Sequence, residues 1–131
     1  MKKCYFILIL IVCLSLPKIS WSQWQQTNGP QGAEIECLLT KGGNTFVGTA
    51  QDGVYLSTNN GGSWLAVNSG LPDLWISSLA TDGINIYAGS GNGVSISNNN
   101  GTSWNLSNNL AFNTVLSLIA EAGNIFAGRI V

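Results

Sequence analysis

Ser57-Thr58-Asn59-Asn60-Gly61-Gly62-Ser63-Trp64 returns further along the chain as Ser97-Asn98-Asn99-Asn100-Gly101-Thr102-Ser103-Trp104. The two octets share the pattern S-x-N-x-G-x-S-W, and each reads as a turn between two strands. Gly61 and Gly101 accept a positive φ at which a Cβ would be strained. Asn59 and Asn99 can bond turn backbone groups through their side chains, and Ser63 and Ser103 add a hydroxyl to the same turn. Trp64 and Trp104 are expected to bury a large ring between strands, with an indole N–H in need of a partner.

The repeat extends in both directions. Trp24, Trp64 and Trp104 are evenly spaced, and Asn28, Asn68 and Asn108 keep the same interval. Leu38, Leu79 and Leu118 follow it to within one position, as do Phe46, Tyr87 and Phe126, and Gly48, Gly89 and Gly128. A period of about 40 residues is found in propeller blades and in some helical repeats. Short segments rich in β-branched and aromatic residues, punctuated by Gly, Asn and Asp, favour strands.

One unit resolves into four strands: Ile35–Thr40, Thr45–Thr49, Val54–Ser57 and Trp64–Val67. Alternation places Ile35, Cys37 and Leu39 on one face of the first, and Val54 and Leu56 on one face of the third. Asp52-Gly53 and Asn60-Gly61 supply hairpin turns. The second unit repeats the order with Ile76–Thr81, Ile86–Ser90, Val94–Ser97 and Trp104–Leu106. A third begins with Val115–Ala120 and Ile125–Gly128. Gln23–Thr27 aligns with the fourth strand of each unit and lacks the other three.

The paired octets resemble the Asp-box, or bacterial neuraminidase repeat, normally written S-x-D-x-G-x-T-W, and the resemblance covers residues 23–131. It implies an all-β fold, a β-propeller with the box between the third and fourth strands of a blade. Sialidases, sortilin-type receptors, some xyloglucan-degrading enzymes and photosystem II assembly-factor-like proteins are similar in this feature. The general likeness is to secreted repeat propellers of Bacteroidetes-type bacteria. The expected organisation is an orphan fourth strand at 23–28, blades at 35–68 and 76–107, and a truncated blade at 115–131. About two full blades fall short of the roughly 4–8 of a closed ring. The expectation is an incomplete propeller and a piece of a longer propeller protein.

Residues 1–22 read as an address. Lys2 and Lys3 precede an apolar run from Cys4 to Leu16, then Pro17 and the small residues of Ser20-Trp21-Ser22. This is the pattern of a secretory signal peptide, cleaved to leave Gln23 first. A spanning helix needs about 20 apolar residues, more than this run supplies, so no membrane span is expected after cleavage. The expected location is secreted, periplasmic or at the cell surface. The remainder, 23–131, holds two cations, Lys41 and Arg129, and six acids, a net charge of −4. Cys37 is then the one cysteine left, which excludes an intrachain disulfide.

Composition removes several functions. The chain has no His, which excludes His triads and His metal sites, and only five Lys and Arg, too few to track a phosphate backbone. No nucleic-acid partner, cofactor or metal is expected. The sialidases that the boxes resemble use an arginine triad, whereas Arg129 is the single arginine here. Both boxes carry Asn in place of Asp, so no carboxylate is left there. Glycoside hydrolysis needs two carboxylates a few ångströms apart, but Asp52 and Asp82 occupy Gly-containing turns and Asp73 a loop. Gly89-Ser90-Gly91-Asn92-Gly93 imitates a phosphate loop but precedes a strand, so it reads as a hairpin. Cys37 aligns with Ser78 and Ser117 and reads as a buried inert thiol.

No catalytic residues are assigned. The structural box residues are Ser57, Asn59, Gly61, Ser63, Trp64, Ser97, Asn99, Gly101, Ser103 and Trp104. Asp73 and Trp75, in the loop Leu71-Pro72-Asp73-Leu74-Trp75, form the candidate ligand loop, because loops on rigid scaffolds carry binding. The leading expectation is a noncatalytic module contacting a protein or a glycan. The alternatives are a truncated part of a sialidase-like or other glycoside hydrolase, and an assembly or stability factor for another complex. Open sheet edges and low charge also predict self-association.

Overall fold

A computed structural model describes residues 26–108 and 114–129. The expected signal segment, Trp24 and most of the orphan strand lie outside these residues. Gln26 and Thr27, the part of Gln23–Thr27 that is described, belong to no strand.

Among the described residues, ten strands form three antiparallel sheets. The first holds β1 (Ile35–Lys41), β2 (Asn44–Thr49), β3 (Val54–Ser57) and β4 (Leu65–Ala66) in sequential order. The second repeats it with β5 (Ile76–Thr81), β6 (Ile86–Ser90), β7 (Gly93–Ser97) and β8 (Asn105–Leu106). β9 (Val115–Glu121) and β10 (Asn124–Arg129) make the third. Every hairpin is local, as short Asn-, Asp- and Gly-bearing turns dictate. The expected phosphate-loop look-alike is the two-residue turn Gly91-Asn92, with Ser90 paired to Gly93.

The fourth strands are shorter than the sequence suggests. β4 pairs only Leu65 with Leu56 and Ala66 with Tyr55, and β8 is equally brief. Trp104 is lost to the ladder because its backbone N–H donates to Ser69 O of the inter-blade linker at 2.9 Å.

The three sheets pack face against face. Phe46 and Val54 of the first meet Ile76, Ile86, Ala88 and Trp104 in one core. Ala80, Tyr87 and Val94 meet Val115 in a second, flanked by Leu118 and Ile125. Polar contacts also cross these joints, among them Cys37 Sγ donating to Ile76 O at 3.7 Å and Ser77 Oγ donating to Val115 O at 2.5 Å.

Strict alternation fails at the first residue of each inner strand. A register shift separates Ile35 from Cys37, and the same shift separates Ile76 from Ser78 and Arg129 from Gly128 opposite Val115. Such a bulge turns the leading side chain to the opposite face. Cys37 and Leu39 therefore line the first core, whereas Ile35 leaves it and is 43% exposed. The expected single face of Ile35, Cys37 and Leu39 is corrected accordingly. Val54 and Leu56 do share one face.

Glycines make the close packing feasible. A Cβ on Gly48 would stand 2.6 Å from Ile76 Cγ2, and one on Gly89 2.7 Å from Val115 Cγ1. Ile76 and Val115, thrown out by their bulges, fill the notches left by the missing side chains on the preceding blades.

Candidate functional site

The two octets fold alike, bond for bond. Asn60 and Asn100 sit at φ 56° and 55°, and Gly61 and Gly101 at 83° and 82°. Ser57 Oγ donates to Asn59 Oδ1 at 3.0 Å and accepts from Gly61 N at 2.8 Å. Asn59 Oδ1 also accepts from Ser63 N at 2.9 Å, while its Nδ2 donates to Ser63 Oγ at 3.0 Å. In the second turn the corresponding distances for Ser97, Asn99, Gly101 and Ser103 are 2.9, 2.8, 2.9 and 2.8 Å. Asn suits this geometry because it accepts and donates from one side chain. A carboxylate could accept the same bonds but could not donate to the second serine.

The second octet also clasps the preceding blade. Gly101 lies against Phe46 and Val67, where a Cβ would stand 3.3 Å from each. Lys41 Nζ donates to Asn100 Oδ1 at 2.6 Å. Trp104 is 2% exposed, and its indole N–H donates to Val67 O at 2.7 Å. Trp64 departs from the expectation of a fully buried ring. It is half-buried, and its Nε1 is enclosed with no partner among the described residues. The position that Val67 supplies to Trp104 falls to Thr27 for Trp64, where the described chain has just begun.

The candidate ligand loop is stitched into the scaffold. Asp73 Oδ1 accepts from Trp75 N at 3.0 Å, closing a local turn. Leu74 O accepts from Gly53 N at 2.9 Å, and Pro72 O from Asn92 Nδ2 at 3.2 Å. The half-buried Trp75 ring packs beside Gly91, 3.5 Å from where a Cβ would stand. Asp73 and Trp75 thus share one loop that ties the turn Asp52-Gly53 to the turn Gly91-Asn92, with part of the indole left open to solvent.

Two residues carry roles that the repeat pattern leaves unassigned. Asn68 Oδ1 accepts from Val54 N at 2.7 Å and its Nδ2 donates to Asp52 O at 2.8 Å, latching that turn. Asp82 is a saturated acceptor. It takes bonds from Ile84 N at 2.8 Å, Asn85 N at 2.6 Å, Asn85 Nδ2 at 3.0 Å and Tyr87 Oη at 2.8 Å. The Asn85 amide first, then the Tyr87 hydroxyl, hold its carboxyl well below the usual carboxylate range. Tyr87 is pushed up, chiefly by burial and then by its bond to Asp82.

A carboxyl depressed by folding contributes stability above its unfolded pKa, near 4, and loses it as pH falls toward the folded value. The melting temperature should therefore drop between about pH 4 and pH 2. Asp82→Asn should be less stable at pH 7 and show a shallower acid slope, so that the two melting curves converge in acid. Parallel curves for the two proteins across that range would contradict the bonding.

Burial pushes the Cys37 thiol up to about 11. At pH 8 the thiolate is then on the order of one in a thousand, and thiolate is the reactive form. Mass mapping after treatment with a disulfide reagent should find Cys37 unmodified in the native chain and modified in urea. Rapid native modification would show an open thiol. Among the described residues no group of three His, Cys, Asp or Glu side chains is placed to hold a metal ion, and no helix is long and apolar enough to cross a membrane.

No family model and no curated protein matches the chain. Among solved structures, the crystal structure of an ancestral GH74 enzyme superposes with a TM-score of 0.68 at 25% sequence identity, over 81% of this chain and 15% of that one. The likeness supports a β-propeller fold, and the three sheets are consecutive blades of a partial propeller. The chain accounts for well under two thirds of that enzyme's length.

Proposed function

We propose that the chain is a noncatalytic module of an exported Asp-box β-propeller, one that presents its inter-blade loops to a protein or a glycan. The observation that carries the reading is the closed hydrogen-bond set of both boxes. Ser57, Asn59 and Ser63, like Ser97, Asn99 and Ser103, bond one another and their own turn. Both boxes close their own turns, the second also clasps the preceding blade, and chemistry is left to other positions. Asp82 is occupied by four donors, and Cys37 is half-buried with its thiol pKa raised by that burial. Contact then falls to the loop of Asp73 and Trp75, whose indole offers a partly open apolar face suited to stacking on a sugar ring or a side chain. The apolar start of residues 1–22 supports export.

The structural likeness to an enzyme favours one second reading, a truncated part of a glycoside hydrolase. Assays of the purified chain on sialosides and β-glucans separate the two. No turnover is expected, together with glycan or protein retention that Trp75→Ala weakens. Turnover by the parent that disappears in Asp73→Asn, which keeps the Oδ1 acceptor, would establish the hydrolase reading instead.

A further inference from the structure

The two end faces of the three-blade stack complement each other. Each internal joint is made by the same parts: a β-branched residue at the bulge of one blade, and a glycine notch with an aromatic neighbour on the second strand of the blade before it. Ile76 enters at Gly48 beside Phe46, and Val115 enters at Gly89 beside Tyr87. Joined, these residues are buried: Ile76 is 0% exposed, Val115 1%, Phe46 0% and Tyr87 9%.

The unjoined ends carry the matching halves. On the third sheet the notch residue is Gly128 and the aromatic is Phe126, 56% exposed, with Ile119 at 57% beside it. A Cβ on Gly128 would meet only Ser117, so no branched side chain among the described residues fills that notch. On the first sheet the bulge residue is Ile35, paired with Thr49 as Ile76 is paired with Ser90. It is 43% exposed, and its neighbour Leu38 is 66% exposed where the equivalent Leu79 is at 9%. The same repeat position is dry inside the stack and wet at its ends, so the difference lies in the neighbouring sheet, which the described residues supply only inside the stack.

We propose that the outer face of the third sheet receives the first sheet of a second copy of this chain, with Ile35 of one copy seated in the Gly128 notch of the next against Phe126. The contact reproduces the geometry of the two internal joints. It is heterologous, so copies add head to tail and form a ring where the rotation closes or a filament where it does not. It uses sheet faces and leaves the strand edges free.

The test is complementation in sedimentation. The full chain, expressed from Met1 and purified, should show a mass that falls over about a hundredfold dilution, as reversible association requires. Ile35→Glu removes the head and leaves the tail; Phe126→Glu removes the tail and leaves the head. Each alone should sediment as a monomer, with association weakened about a hundredfold or more by the carboxylate it would bury. An equimolar mixture should form a dimer and nothing larger, because one intact joint remains. Both variants should keep the parent's cooperative melt; where one does not, Leu38→Glu or Ile119→Glu takes its place. A wild-type chain that stays monomeric, variants that associate as the parent does, or a mixture that stays monomeric would each overturn the proposal. Undiminished association of the variants would assign it to the strand edges.

Discussion

Trp104→Ala destabilises the chain by roughly 3–5 kcal/mol, the usual cost of removing a fully buried aromatic, and Trp64→Ala costs about 1–2 kcal/mol. Both residues end the same octet, yet their surroundings differ. Trp104 fills the core between the first two blades and donates to Val67 O, so its loss opens a cavity and orphans an acceptor. Trp64 is half-buried and has no acceptor for its enclosed N–H among the described residues. Phenylalanine separates the two effects. Trp104→Phe forfeits a bond worth about 1 kcal/mol, whereas Trp64→Phe removes an unpaired donor and should be neutral or stabilising. Urea melts of the four variants measure all of this. Equal losses at the two positions would mean that Trp64 is enclosed as fully as Trp104.

The second large effect is expected at Gly70, in the linker from β4 to β5. Its φ is +87°, and a Cβ would fall on the carbonyl oxygen of Trp104, a backbone atom with no freedom to move aside. Ser69 O, one residue earlier, accepts from Trp104 N. Gly70→Ala should therefore cost about 3 kcal/mol or more, since the linker must leave the second blade to relieve the clash. Gly83 supplies the control. It has φ +91°, but a Cβ there meets nothing within 4 Å. Gly83→Ala should cost only the about 1–2 kcal/mol of a left-handed alanine. Similar losses at the two glycines would show that backbone conformation accounts for both and that the linker does not press on Trp104.

The reading from sequence succeeds where the physics is local. A turn is written in consecutive residues, so the octets, the Asp52-Gly53 turn and the Gly91-Asn92 hairpin are visible without a fold. Strand order follows from the turns, and β3, β5 and β6 have the bounds that alternation suggests. What escapes it depends on residues one repeat apart. Gly48, Gly89 and Gly128 stand out as a periodic set, but what Gly48 and Gly89 make room for is the branched side chain of the next blade. The bulge that sends Ile35 away from Cys37 is a property of pairing register, and no composition signal marks it. Trp64 and Trp104 are identical in motif and differ only in what precedes them in space. Asn68 belongs to a visible period, yet its latch on Asp52 and Val54 reaches back 16 and 14 residues. Trp75 is the one tryptophan of the described residues that lies off the period, and the structure makes it both a packing group and a partly open one.

The sheets stack as consecutive blades, the second and the third each locked by a branched side chain in the glycine notch of the one before. Nuclear Overhauser contacts between the Ile76 methyls and Gly48 Hα, and between the Val115 methyls and Gly89 Hα, test this stacking most directly, because the two joints rest on those approaches. Strong cross-peaks at both joints, in a chain whose amides show the ten antiparallel strands, are the predicted result. A well-dispersed spectrum in which the hairpins are present but neither methyl sees its glycine would contradict the stacking, and with it the propeller.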